Sequence, residues 1–371
     1  MRYRTRTFVI LLIGLLFIGC GRNEIVGHIT GPDGKPVQNI KVFLCVSPGS
    51  DSASAAARSV TDGKGAFRIK TKYRGDAVLE ILGERGEGRV RVNTGSKRTS
   101  IDITYPVIEK VIFLHDNDLH FDFNSIDAFG AKLKEIRSSN DDVFLLNAGD
   151  VFVRHPSRWI VDGIKMDDPA WYGQQTLLII DIMNRSGYDL MTLGNHELGY
   201  IEPYTRAALE TAQFPLLAAN IEVTTDAIPP VESYKILSTS TWRTIAVLGL
   251  TTVSNPGDSV GITLIDPIEV TGRYVHLADE NDVFVVLSHI GYSNDKKLAL
   301  RFPQIDIIIG GHSHTFLENA EIVNTVLVAQ AGGSEHVMSK DHEKYLGEIV
   351  VTMENGMITD KQRHVMIMPL P

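Results

Sequence analysis

From residue 107 onward, short aliphatic runs alternate with segments whose apolar residues recur at every third or fourth position. Val111 to His115, Val143 to Asn147, Leu190 to Leu193, Val283 to Leu287 and Ile307 to Gly310 are nearly continuous apolar runs. Such runs predict strands covered on both faces, the habit of a parallel sheet. Ser125 to Arg137, Gln174 to Arg185 and Thr205 to Ala212 carry an apolar stripe at helical spacing. Thr325 to Gln330, Tyr345 to Met353 and Arg363 to Met368 read as strands finishing a sheet. The alternation predicts an α/β domain over residues 107–371, long enough for a substantial core.

Residues 21–106 are patterned differently, as short strands punctuated by turns. Ile25 to Ile29, Val37 to Val46, Ala66 to Lys70, Val78 to Ile81, Arg89 to Val92 and Ser100 to Ile103 predict a small antiparallel sandwich. The turns are Gly31-Pro32-Asp33-Gly34-Lys35-Pro36 and Thr61-Asp62-Gly63-Lys64-Gly65, where Asp33 and Asp62 are explained by turn geometry. Ser47 to Ala57 is a surface loop by composition. Residues 1–20 pair the basic Arg2, Arg4 and Arg6 with an apolar run from Phe8 to Ile18, the pattern of a targeting segment. The apolar run is too short to span a bilayer as a helix. With Cys20 set aside, Cys45 is the one remaining thiol, so no intrachain disulfide is expected.

Charge sharpens the division. The net −9 is distributed as +8 through Tyr105 and −17 beyond it. An acidic second part argues against nucleic acid as a partner. It is compatible with a small phosphorylated substrate if bound dications reverse the local field.

The five strand ends carry the candidate chemistry. They lead into Asp118-Leu119-His120, Gly149-Asp150, Gly194-Asn195-His196-Glu197, Ser288-His289 and Gly310-Gly311-His312-Ser313-His314. A lone His-x-His is an ordinary polar loop, but five strands each ending in Asp, Asn or His predict a metal site built from strand-end loops. The candidate ligands are Asp118, His120, Asp150, Asn195, His289, His312 and His314. Carboxylate, amide oxygen and imidazole suit Mn, Zn or Fe dications better than calcium. Seven donors exceed the needs of one ion and suit two sharing a carboxylate, which clamp a phosphoryl group when ~3.5–4 Å apart. Between Asp150 and Gly173 the sequence predicts an irregular insert, with Arg154 a candidate contact to a phosphate or carboxylate and Trp159, Trp171 and Tyr172 a candidate wall for a leaving group. The plainer reading of that insert is a surface loop whose aromatics pack onto the domain. His155 and His336 fall outside the motifs and are expected not to be ligands.

Three resemblances accompany these motifs. Phe17-Ile18-Gly19-Cys20 resembles the lipobox of bacterial lipoproteins, which implies lipidation of Cys20 and anchoring to a bacterial envelope membrane, facing the periplasm or exterior. Gly-x-Asp-Gly-Lys-Pro-Val and Thr-Asp-Gly-x-Gly-x-Phe resemble the carboxypeptidase regulatory-like sandwich, a noncatalytic module. The strand-end motifs, with Phe113 to His120, Phe214 to Ile221 and Gly249 to Thr252, resemble the calcineurin-like metallophosphoesterase superfamily and within it the 5′-nucleotidase catalytic domain. That resemblance implies a four-layer α/β/β/α sandwich and two divalent ions (Mn, Zn, Fe or Mg). One ion would take Asp118, His120, Asp150 and His314; the other would take Asp150, Asn195, His289 and His312. A hydroxide bridging the ions would attack phosphorus while His196 assists the leaving oxygen. Two departures are expected to matter. Gly199 stands where such nucleotidases place an Asp that orients the catalytic imidazole, so either Glu197 or another acid substitutes or catalysis is weaker, and no second C-terminal nucleotidase domain is expected. The implied activity is phosphoester hydrolysis; the alternative is a surface-exposed binding lipoprotein that keeps the fold with little turnover.

Overall fold

The computed structural model describes residues 22–50, 52–153, 160–161, 164–165, 169–199, 203–254, 261–332 and 344–368. The chain forms two compact units, Met1–Glu80 with Val92–Thr104, and Ile81–Arg91 with Tyr105–Pro371.

In the larger unit, two six-stranded sheets stack face to face. One runs in the order Leu216–Leu217, Leu190–Thr192, Val143–Asn147, Ile108–Asp116, Lys344–Glu354, Met357–Met368. Its first four strands are parallel and its last two antiparallel. The other has a parallel centre of Thr244–Thr251, Val283–His289, Ile307–Gly310 and Val326–Gln330, edged by the antiparallel Tyr234–Ser238 and Glu321–Val323. Every residue of Val283–His289 is buried, as its continuous apolar run predicts. Between the sheets lie Phe113, Leu146, Val247, Val285, Ile307 and Ile349. The outer face of the first sheet is covered by helices Phe123–Arg137 and Pro169–Ser186, and that of the second by Tyr292–Arg301. This is the four-layer α/β/β/α arrangement.

The helices explain themselves locally. Asp122 caps Phe123–Arg137 by accepting from the Ser125 amide, so the helix begins before the predicted Ser125. Ile126, Phe129, Gly130 and Leu133 form its buried stripe. A Cβ on Gly130 would stand 2.6 Å from Ser186 Cβ, so glycine permits the second helix to approach. That helix starts at Pro169, five residues ahead of the predicted Gln174. Trp171 and Tyr172 are therefore helical and not part of an irregular insert. Tyr172, Thr176, Ile179 and Met183 continue one buried stripe, of which the spacing from Gln174 onward marks only the later part.

The smaller unit and the strands continuous with it are all β among the described residues. One sheet contains Ala66–Thr71, Asn23–Thr30, Arg98–Ser100 and Ile103–Thr104, and a second runs Ala57–Val60, Lys41–Cys45, Asp76–Gly83, Gly86–Asn93. The predicted antiparallel pairing is modified here. Asn23–Thr30 pairs in parallel with both Arg98–Ser100 and Ile103–Thr104, because a long excursion of chain separates them and no tight hairpin fixes their direction. Asp33 accepts from the Lys35 amide, and Asp62 from the Lys64 and Ala66 amides, so both carboxylates are occupied in closing turns.

Candidate metal centre

The predicted ligands converge where the parallel strands of both sheets end. Three overlapping clusters of donor atoms form: Asp118, His120 and His314; His120, Asp150 and His196; and Asp150, His289 and His312, with donors within 4.8 Å of one another in each. His289 Nε2 is 3.1 Å from Asp150 Oδ2, His196 Nε2 is 3.7 Å from that atom, and His314 Nε2 is 3.4 Å from Asp118 Oδ1. The His120 ring lies 4.6 Å from that of His196 and 5.2 Å from that of His314.

The backbone is bent to achieve this. Asp118, His120, Asp150, His312 and His314 all have positive φ, between 49° and 75°. A left-handed conformation costs a non-glycine residue on the order of 1 kcal/mol or more, and such strain collects where function holds it. The glycines nearby serve close approach. A Cβ on Gly194 would stand 2.0 Å from Asp150 Oδ1, and one on Gly311 would stand 2.9 Å from His289 Nδ1.

Backbone carbonyls orient the imidazoles. His120 Nδ1–H and His196 Nδ1–H both donate to the Phe152 carbonyl, at 2.9 and 3.0 Å, and His289 Nδ1–H donates to Ala148 O at 2.6 Å. This fixes the tautomer and turns each Nε2 toward the carboxylates, the arrangement that metal-ligating imidazoles require. Glu197 holds the carbonyl in place. Its buried carboxylate accepts the amides of Asp150 at 2.9 Å, Phe152 at 3.0 Å and Gly194 at 2.8 Å. Glu197 therefore clamps backbone and does not itself orient the His196 imidazole. The expectation that it replaces the missing acid at Gly199 is corrected, because Phe152 O performs that task. No motif marks that oxygen, since a carbonyl has no side-chain signature.

Other contacts tie the loops together. Asp118 Oδ2 accepts from the His312 amide at 3.0 Å and from Asn117 Nδ2 at 2.6 Å. Asp150 Oδ1 accepts from the His196 amide at 2.9 Å. Burial raises the Asp150 carboxyl's pKa, but the His289 and His196 imidazoles outweigh it and hold the group well below the usual carboxylate range. Burial lowers His289, yet Asp150 and Asp118 prevail and push it up to about 10. Burial, helped by neighbouring imidazoles, takes His120 down to about 3 and His312 down to about 4. His120 and His312 are thus neutral, the form in which imidazole ligates.

The donor set fits divalent ions on an independent observation. Asn195 Oδ1 is buried and has no hydrogen-bond partner among the described residues, as is true of Asp118 Oδ1. Each is a buried acceptor stripped of water, which is costly unless something positive joins it. Trp171 is half-buried and packs against the core under the first sheet, while Tyr172 is fully buried with its hydroxyl donating to Val153 O at 3.1 Å. Tyr172 is a core residue and not an exposed wall. Arg154, His155, Trp159, His336 and Cys20 lie outside the described residues.

A stacked pair of largely parallel sheets with this donor cluster at the strand ends defines the class of metallophosphoesterases. Residues 112–316 match the calcineurin-like phosphoesterase family, and the chain belongs to it. The trifunctional nucleotide phosphoesterase YfkN of Bacillus subtilis is 28% identical over 303 residues, covering 69% of this chain and 19% of that protein. A 5′-nucleotidase of Diplobatis ommata is 25% identical over 305 residues, covering 68% of this chain and 48% of its own length. Among solved structures, the 5′-nucleotidase precursor of Thermus thermophilus superposes with a TM-score of 0.57 at 25% identity, over 70% of this chain and 55% of the other. This chain thus spans less than half of those two curated relatives.

Proposed function

We propose that the larger unit hydrolyses a phosphate ester of a small molecule, using two divalent ions that share Asp150. The observation that carries this reading is the set of overlapping donor clusters around Asp118 and Asp150, together with the buried Asn195 Oδ1, which has no hydrogen-bond partner among the described residues. Asp118, His120, Asp150 and His314 would hold one ion, and Asp150, Asn195, His289 and His312 the other. When bound, such ions polarise a phosphoryl oxygen and lower the pKa of water. The protein's own part is to hold geometry and move a proton. His196 is partly exposed, with Nδ1 fixed on Phe152 O and Nε2 facing the cluster, so it is placed to protonate a departing oxygen or stabilise developing charge. Gly199 in place of an acid does not weaken this reading, because the ring is already oriented. The relatives named as nucleotidases and nucleotide phosphoesterases support a phosphorylated small molecule as substrate. The N-terminal segment supports export and a lipid anchor at Cys20 in a bacterial envelope.

The test is turnover of p-nitrophenyl phosphate and bis(p-nitrophenyl) phosphate by the purified chain after dialysis against chelator and addition of Mn²⁺, Zn²⁺ or Fe²⁺. Metal-dependent hydrolysis of at least one ester is expected. Metal binding without turnover of either would instead support the binding-lipoprotein alternative.

A further inference from the structure

We infer that Phe316 is a specificity-determining residue, the wall against which the substrate's leaving group lies, and that the favoured leaving group is planar and aromatic. This rests on the phosphoesterase reading. Phe316 follows the candidate ligand His314 by two residues and is 44% exposed. Its ring rests on that of Tyr345 at 4.2 Å with a 34° tilt, so the inner side of the platform is backed and the remainder is open.

The platform is fixed relative to the donors. Phe316 bridges to Ala331, and the Asn117 carboxamide grips the same segment, accepting from the Ala331 amide at 3.0 Å and donating to Gly332 O at 2.6 Å. Asn117 precedes Asp118 and also donates to its Oδ2 at 2.6 Å. Gln330 Oε1 accepts from the Thr315 amide at 3.0 Å and from Ser313 Oγ at 2.9 Å, holding the peptide between His314 and Phe316. One buried amide therefore holds both a candidate metal-ligating carboxylate and the aromatic platform. A rigid, half-open ring at that place offers stacking to a flat group and little to a polyol.

Kinetics of the full chain on phenyl phosphate and glycerol 2-phosphate test this, because mutant-to-wild-type ratios cancel the intrinsic difference between the esters. Phe316→Ala should raise KM for phenyl phosphate about tenfold, the cost of one lost stacking contact, and leave KM for glycerol 2-phosphate within about twofold. Phe316→Trp should restore the aryl KM. Equal changes on both esters, or an aryl KM that does not move, would overturn the inference while leaving the phosphoesterase reading intact. Absence of turnover of these esters, of p-nitrophenyl phosphate and of bis(p-nitrophenyl) phosphate by the metal-loaded wild type would overturn both; turnover of the diester alone would overturn only the inference.

Discussion

Replacing Glu197 separates a clamp from a ligand. Its carboxylate satisfies three buried amides, those of Asp150, Phe152 and Gly194, and it touches no substrate. A buried N–H deprived of its partner costs about 1–3 kcal/mol. Three such losses would sum to more, but water entering the space left by Glu197→Ala restores part, so about 3–5 kcal/mol is expected. For a unit of this size that lowers the melting temperature by roughly 6–20 °C. Glu197→Gln keeps one oxygen for the two amides that converge on Oε2 and turns an NH₂ toward the Phe152 amide, so it should cost about 1–3 kcal/mol.

The second variant is the more informative. A displaced Phe152 moves the carbonyl that orients both His120 and His196. Metal affinity and turnover should then fall about 10–100-fold in Glu197→Gln, the usual cost of losing a group that orients ligands. Differential scanning calorimetry gives the stability, and elemental analysis after equilibrium dialysis gives the metal content. A Glu197→Ala variant that melted within about 2 °C of wild type and bound metal normally would refute the clamp.

Other substitutions probe the same loops. Asp150→Asn removes the charge present in two of the three donor clusters, and metal-dependent turnover should drop by more than about a hundredfold while the buried strand Val143–Asn147 stays intact by circular dichroism. Gly194→Ala places a Cβ 2.0 Å from Asp150 Oδ1, so metal content should fall even though no donor is changed; a variant whose metal content equals that of the wild type would show that the loop yields freely. His155→Ala and His336→Ala should leave elemental metal content unchanged, since neither belongs to a strand-end motif.

Much of this site is legible in the sequence because its donors sit at predictable places. A short β-branched run closed by glycines, such as Ile307–Gly310, reads as a buried strand, and a strand that ends in Gly-Gly-His-x-His delivers two imidazoles to one edge of a sheet. What the sequence leaves unmarked is of two kinds. The aromatics Trp171 and Tyr172 read as part of an irregular insert, because the helix containing them opens with a proline and its apolar stripe is plain only from Gln174; burial of Tyr172 shows where the period begins. The orienting groups are hidden for a deeper reason. Phe152 O, Ala148 O and the amides under Glu197 are backbone atoms, available in principle at every residue, so no side-chain pattern marks which of them will face an imidazole. Gly199 illustrates the consequence. When orientation can be supplied by a carbonyl, loss of a side chain that orients the same ring in similar proteins does not by itself predict loss of catalysis. A fixed Nδ1 is the physical requirement, and its source is visible only once the chain is folded.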